Sequence, residues 1–172
     1  MPSTLLTDIG EAKAATAVGS GSAVAITHIA MGDGNGATYD ADFDQTALVN
    51  ERARMAIESR IQIAPRQWKV KAEFPPETEA FEVREIGYFD AAGALISVWA
   101  GIDVDSRSTG VVSYINEHVL DLSRVAEGAI IVDAPDDALF LHLIQNIETH
   151  AITANEQVKQ RLFIRDLTGA AA

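Results

Sequence analysis

Between Gln67 and Pro75 the chain alternates strictly: Trp68, Val70, Ala72 and Phe74 are apolar, while Lys69, Lys71 and Glu73 between them are charged. A period of two places the two sets on opposite faces of an extended strand, one buried and one wet. Such a strand needs neighbours, and the sequence supplies them. Met55, Ile57, Ile61 and Ile63 precede Pro65, and beyond the break at Pro75-Pro76 the stretches Phe81 to Phe89, Ala94 to Ala100, Val111 to Leu122 and Ala129 to Val132 keep the same character. Asp90-Ala91-Ala92-Gly93 reads as a hairpin loop between the first two of these. Short strands joined by turns predict a mainly antiparallel sheet, folded as a sandwich.

Helical signals flank this β region. Leu5 to Val18 is alanine-rich, with Thr7 or Asp8 placed to cap it, Glu11 closing a capping box after Asp8, and Gly19-Ser20-Gly21 ending it. Its apolar face, Leu5, Ile9, Ala12 and Thr16, is small, so the helix must lie against the sheet. Ala23 to Met31 follows as a strand, then Gly32-Asp33-Gly34-Asn35-Gly36 as a turn or loop. Thr46 to Arg52 fits either a short helical turn or the entry to a strand.

At Pro135-Asp136-Asp137 the period changes from two to about 3.6. Phe140, Ile144, Ile147, Ala151, Ala154 and Val158 then step by the spacing of a coiled-coil seam and form the expected oligomer interface. Thr153-Ala154-Asn155-Glu156 is itself a capping box where that helix can divide, and packing on the chain's own sheet is the plainer use of the stripe. The fold class expected is α+β: a mainly antiparallel β sandwich with an N-terminal helix on it and a C-terminal helical segment. The organisation expected is one domain at 1–134 and a helical segment at 135–172.

The formal net charge of −12, from 25 acidic against 13 basic residues, opposes a phosphate backbone and argues against nucleic acid as a partner. The absence of cysteine excludes disulfides and thiolate metal ligands. Met1-Pro2-Ser3-Thr4 has no basic stretch followed by an apolar one, and no run reaches the length of a membrane span, so a soluble chain without membrane contact is expected.

Chemistry-bearing constellations are sparse. His28, His118, His142 and His150 are scattered and lack the short helical spacing of zinc ligands. No serine stands in Gly-x-Ser-x-Gly. The run from Gly32 to Gly36 lacks the Gly-Lys-Ser/Thr ending of a phosphate cradle, and its aspartate opposes phosphate, so Gly32, Gly34 and Gly36 are expected to serve loop geometry. Asp40, Asp42, Asp44 and Glu51 fall at positions one, three, five and twelve of a calcium loop, but position six is Gln45 where a sharp turn needs glycine. A calcium-stabilised glycan-binding module is therefore the rival reading to a solvated acidic loop. No catalytic residue, cofactor or resident metal is expected.

Four stretches in order and spacing resemble the tail-collar fibre family of phages and the R-type pyocin tail fibres. They are Leu5-Leu6-Thr7-Asp8-Ile9-Gly10, the run from Ile26 to Gly36, Thr46-Ala47-Leu48-Val49-Asn50-Glu51, and the run from Phe81 to Asp90. The resemblance implies a structural, non-enzymatic protein of a phage tail or related contractile particle, a collar or fibre adaptor. Its implied partners are a baseplate wedge protein and a separate tail fibre protein, its implied oligomer a homotrimer, and its place the virion tail after assembly in the host cytoplasm. Arg84 and Glu85, inside an otherwise apolar strand, need partners, either as a local charge pair that fixes register or at the attachment surface. The sequence to Ala172 shows no repetitive shaft or tip, so an adaptor is expected rather than a complete receptor-binding fibre.

Overall fold

The computed structural model describes residues 4–75, 80–101, 114–138 and 159. The chain divides into two compact units, Met1–Asp136 and Asp137–Ala172, and nearly all described residues belong to the first. The elements run β1 (Leu5–Leu6), α1 (Asp8–Ser20), β2 (Val24–Gly32), β3 (Glu51–Ala56), β4 (Ser59–Ala64), β5 (Gln67–Phe74), β6 (Glu85–Asp90), β7 (Leu95–Ala100), β8 (Tyr114–Asp121) and β9 (Ile130–Val132), with a 3-10 turn at Gly34–Gly36.

Two sheets share one core. The larger has the order β1-β7-β6-β2-β3, and β9 also pairs with β2. Ile26 is paired with both Asp90 and Val132, and His28 with both Phe89 and Ala56, so β3 and β9 lie on one edge of β2 and β6 on the other. The smaller sheet has the order β4-β5-β8. Its strand β5 buries Val70, Ala72 and Phe74, as the alternation demanded, and these join Ile29, Met31, Ile86 and Tyr88 of the larger sheet in the main cluster. A second cluster, Ala30, Leu48, Phe89, Leu95 and Val98, forms apart from it.

The helix starts at Asp8 because Thr7 turns the chain. Thr7 is extended, accepts the Gly10 N–H on its hydroxyl oxygen at 3.0 Å, and donates its own hydroxyl proton to Leu95 O at 2.7 Å. Gly21, with φ of 70°, closes the other end in the left-handed region. Leu5 and Leu6, expected in the helix, instead pair with Val98 and Ser97 of β7. A Cβ on Gly10 would overlap Ile96 O, so glycine lets α1 approach β7 closely.

The α+β expectation is corrected to a mostly β chain whose sheets are curled. Only α1 is an α-helix of any length among the described residues, and no C-terminal helical segment is evident there. Strand dominates the described residues because the period-two stretches build both sheets, while α1 buries only Gly10, Ala14 and Ala17. Phe140, Ile144, Ile147, Ala151, Ala154 and Val158 lie outside the described residues. The sheet is also not wholly antiparallel, since β9 runs parallel to β2.

Candidate functional site

All six residues of β6 are buried, and the first is a carboxylate. Glu85 is 0% exposed. Burying a charge costs several kcal/mol unless donors replace its water, and a long loop provides them. Glu85 Oε1 accepts the Asn50 N–H at 2.8 Å and the Gly34 N–H at 3.2 Å. Glu85 Oε2 accepts the Val49 N–H at 2.8 Å and the Tyr39 hydroxyl at 2.5 Å. Three backbone amides and one phenol thus surround the carboxylate, and bonds of this charge-assisted kind are the strong ones.

The loop reaches that carboxylate because its glycines permit it. Gly34, Asn35 and Gly36 have φ of 58°, 55° and 81°, a left-handed run that turns the chain back over β6. Gly32 does not need a positive φ. It needs space, since a Cβ there would overlap Glu85 Oε1 and stand 2.5 Å from Asn50 O. Tyr39 is fixed in turn by Gln45, whose side-chain amide donates to the Tyr39 oxygen and to Ala47 O, each at 2.8 Å. Burial, with the Glu85 carboxylate beside it, pushes the Tyr39 hydroxyl well above its ordinary range, against the opposing hydrogen bond from Gln45.

A second carboxylate ties the base of the loop. Asp33 Oδ1 accepts Asn50 Nδ2 at 2.7 Å and the Asn35 N–H at 2.9 Å, and Oδ2 faces Arg52 at 3.1 Å. The Asn50 amide holds the Asp33 carboxyl below its ordinary range; burial works the other way, and the Asn35 N–H and the charges of Arg52 and Arg84 add to the lowering. Arg84 and Glu85, adjacent on the chain, take different partners. Arg84 donates its N–H to Gly32 O at 2.9 Å, its guanidinium to Asp33 O at 3.4 Å, and forms an ion pair with Glu82.

So fastened, residues 37–50 lie over the second hydrophobic cluster with Leu48 inward. They present Asp40, Asp42 and Asp44 to solvent, with Phe43 at 42% and Val49 at 48% exposure. Phe43 also receives the Asp8 N–H on its carbonyl at 2.8 Å, and Arg124 stacks on its ring at 4.5 Å while pairing with Glu11 at 2.8 Å.

The calcium arrangement does not form around these aspartates. Glu51 is taken by Arg54, which grips both its oxygens at 2.8 and 2.7 Å. Among the described residues no three His, Cys, Asp or Glu side chains gather as a metal would require. His28 accepts or donates a 2.7 Å bond with the Thr27 hydroxyl, while His142 and His150 lie outside the described residues. What the Glu85 cluster can do chemically is hold a loop in one conformation.

Three sequence stretches, around Gly32, Asn50 and Glu85, meet at this carboxylate, and the fourth, around Thr7, anchors on β7 behind it. Sequence reasoning singled out Gly32, Gly34, Gly36, Arg84 and Glu85 but missed Tyr39, Gln45, Val49 and Asn50. The available signal was the charge in an apolar strand: a buried carboxylate requires donors, and the polar residues of the long loop were the supply.

Residues 1–105 match the family model described as phage tail-collar fibre protein, N-terminal. A probable tail fiber protein of Escherichia phage P2 is 40% identical over 98 residues, which is 55% of this chain and 15% of that protein. The match therefore spans a small part of its relative's length. No solved structure matches the chain.

Proposed function

The chain belongs to the phage tail-collar fibre family through its N-terminal domain, and from that premise we propose that it is a non-enzymatic adaptor joining fibres to the baseplate of a contractile tail. That it is a structural protein of the phage tail fibre follows from family membership. The finer assignment is carried by one observation: three of the four stretches that resemble the family converge on Glu85 and spend a buried charge on fixing a loop, not on building a reactive centre. A loop held by four bonds to one carboxylate is preorganised, and preorganised surfaces lose less entropy on docking.

In this reading a baseplate wedge protein is the docking partner, the fibre continues from a separate protein, and the working form is a homotrimer. Particles assembled without this chain should have complete tails that lack fibres, as seen by negative-stain microscopy. Fibres still seated on such tails would overturn the proposal.

A further inference from the structure

The path by which the chain leaves its first unit is tied down at several points. Ile130 and Val132 of β9 are buried, and β9 runs parallel to β2 with Val24↔Ile130, Ala25↔Ile131 and Ile26↔Val132 in register. The pairing is closed at both ends, by Val24 N–H to Ala129 O at 2.9 Å and Asp133 N–H to Ile26 O at 2.8 Å. The chain then passes to the other sheet. Arg60 of β4 donates its backbone N–H to Pro135 O at 2.9 Å and its Nε to Asp136 Oδ1 at 3.2 Å. Its guanidinium also donates to Val132 O and stacks over Trp68 at 5.0 Å. One arginine therefore holds both ends of the segment from Val132 to Asp136 against β4.

We infer that Arg60 is a mechanical latch, which keeps tension applied beyond Asp136 from peeling β9 off β2. A pull at a strand's free end can unzip its pairs one at a time, whereas a pull along the strand loads all of them together. The latch sits at the end where peeling would begin. With residues 135 and 136 fixed to β4, force reaches β9 along its length and is shared by the β2 ladder. The exposed carboxylate of Asp136 contributes little by itself, since surface ion pairs are weak. The guanidinium's bond to Val132 O and its stacking over Trp68 carry the latch, beside a backbone bond to Pro135 that any side chain at 60 would keep. That the load exists rests on the fibre-joining reading; the latch itself is a property of the domain.

The chain has no cysteine, so handles can be placed cleanly in the full-length protein, by Ala92→Cys in the exposed turn after β6 and Ala172→Cys. Because β6 is antiparallel to β2, that turn lies beside the start of β2, and a pull between the handles runs along β9. In constant-force tweezers, Arg60→Ala should release the β9 segment roughly tenfold sooner than wild type, equivalent to about 1.4 kcal/mol of barrier. Arg60→Lys should fall between, and Arg124→Ala, which alters an exposed arginine whose side chain meets Glu11 and Phe43, should leave the lifetime unchanged. Equal lifetimes for Arg60→Ala and wild type would overturn the latch, as would equal shortening by Arg124→Ala. Should Arg60→Ala fail to fold, Arg60→Lys alone decides, with an unchanged lifetime counting against the latch. Tails that keep their fibres without this chain, together with a shortened Arg60→Ala lifetime, would sink the fibre-joining reading and leave the latch standing.

Discussion

Gly32 and Glu85 are paired across β2 and β6, and the missing side chain of the first leaves the volume that the carboxylate of the second occupies. The relationship is reciprocal: the glycine admits the charge, and the charge collects the loop. Because the next obstacle to a Cβ is a backbone oxygen, Asn50 O at 2.5 Å, a larger residue cannot be accommodated by a rotamer change alone. Gly32→Ala should therefore destabilise the domain by about 2 to 4 kcal/mol, in the range of overpacked cores and lost buried hydrogen bonds. Urea unfolding followed by tryptophan fluorescence measures this, and a loss below about 0.5 kcal/mol would show that the site relaxes.

Replacing Glu85 tests the same contact from the other side. Glu85→Ala leaves the amides of Gly34, Val49 and Asn50 without their acceptor, which should cost about 3 to 5 kcal/mol. Glu85→Gln keeps the shape but turns a donor toward donors, and should cost about 2 kcal/mol. Hydrogen exchange at Val49 and Asn50 should accelerate in both variants, more than exchange in β5. Uniform acceleration across both sheets would mean that Glu85 supports the whole core instead of the loop.

How much of this could be read from the residues alone depends on range. Trp68 to Phe74 announced β5 because alternation is local, and a cap at Thr7 or Asp8 was legible because it acts within three residues. The sequence pattern begins the helix at Leu5 and assigns the capping box to Asp8, whereas Thr7 is the cap. Leu5 and Leu6 were misread, since their apolar character fits a helix face as well as a strand, and only β7, some ninety residues on, decides between them. The partners of Glu85 come from a loop 35 to 51 residues away. No local pattern encodes such a meeting; the sequence shows only that a charge in an apolar strand must be satisfied somewhere.

Thr7 serves the helix and the sheet at once. Thr7→Ala removes both the cap on Gly10 and the 2.7 Å bond to Leu95 O, and should cost about 1 to 3 kcal/mol by thermal or urea denaturation. Thr7→Ser retains the hydroxyl and should cost well under half as much. Equal losses would assign the effect to the threonine methyl group and not to its bonds.

Acid should weaken the fold through Asp90 and Asp33. Burial at Asp90 favours the neutral form, but Lys13 at 2.6 Å and the N–H groups of Ala94 and Ala92 outweigh it, leaving the carboxyl below its ordinary value. A folded-state pKa lower than the unfolded one means that the stabilisation is complete above the ordinary value of 3.8 and is lost as pH falls through the folded value. Between pH 5 and pH 2.5, Asp90→Asn should lose less stability than wild type. Identical acid limbs for the two proteins would remove Asp90 from the explanation.

Cryo-electron microscopy of the intact particle reports most directly on the fibre-joining role. The expected result is density for the fold of residues 4–101 at the root of each fibre, in contact with the baseplate and in three copies. Finding that fold only at the distal end of a fibre, or away from the tail altogether, would contradict it.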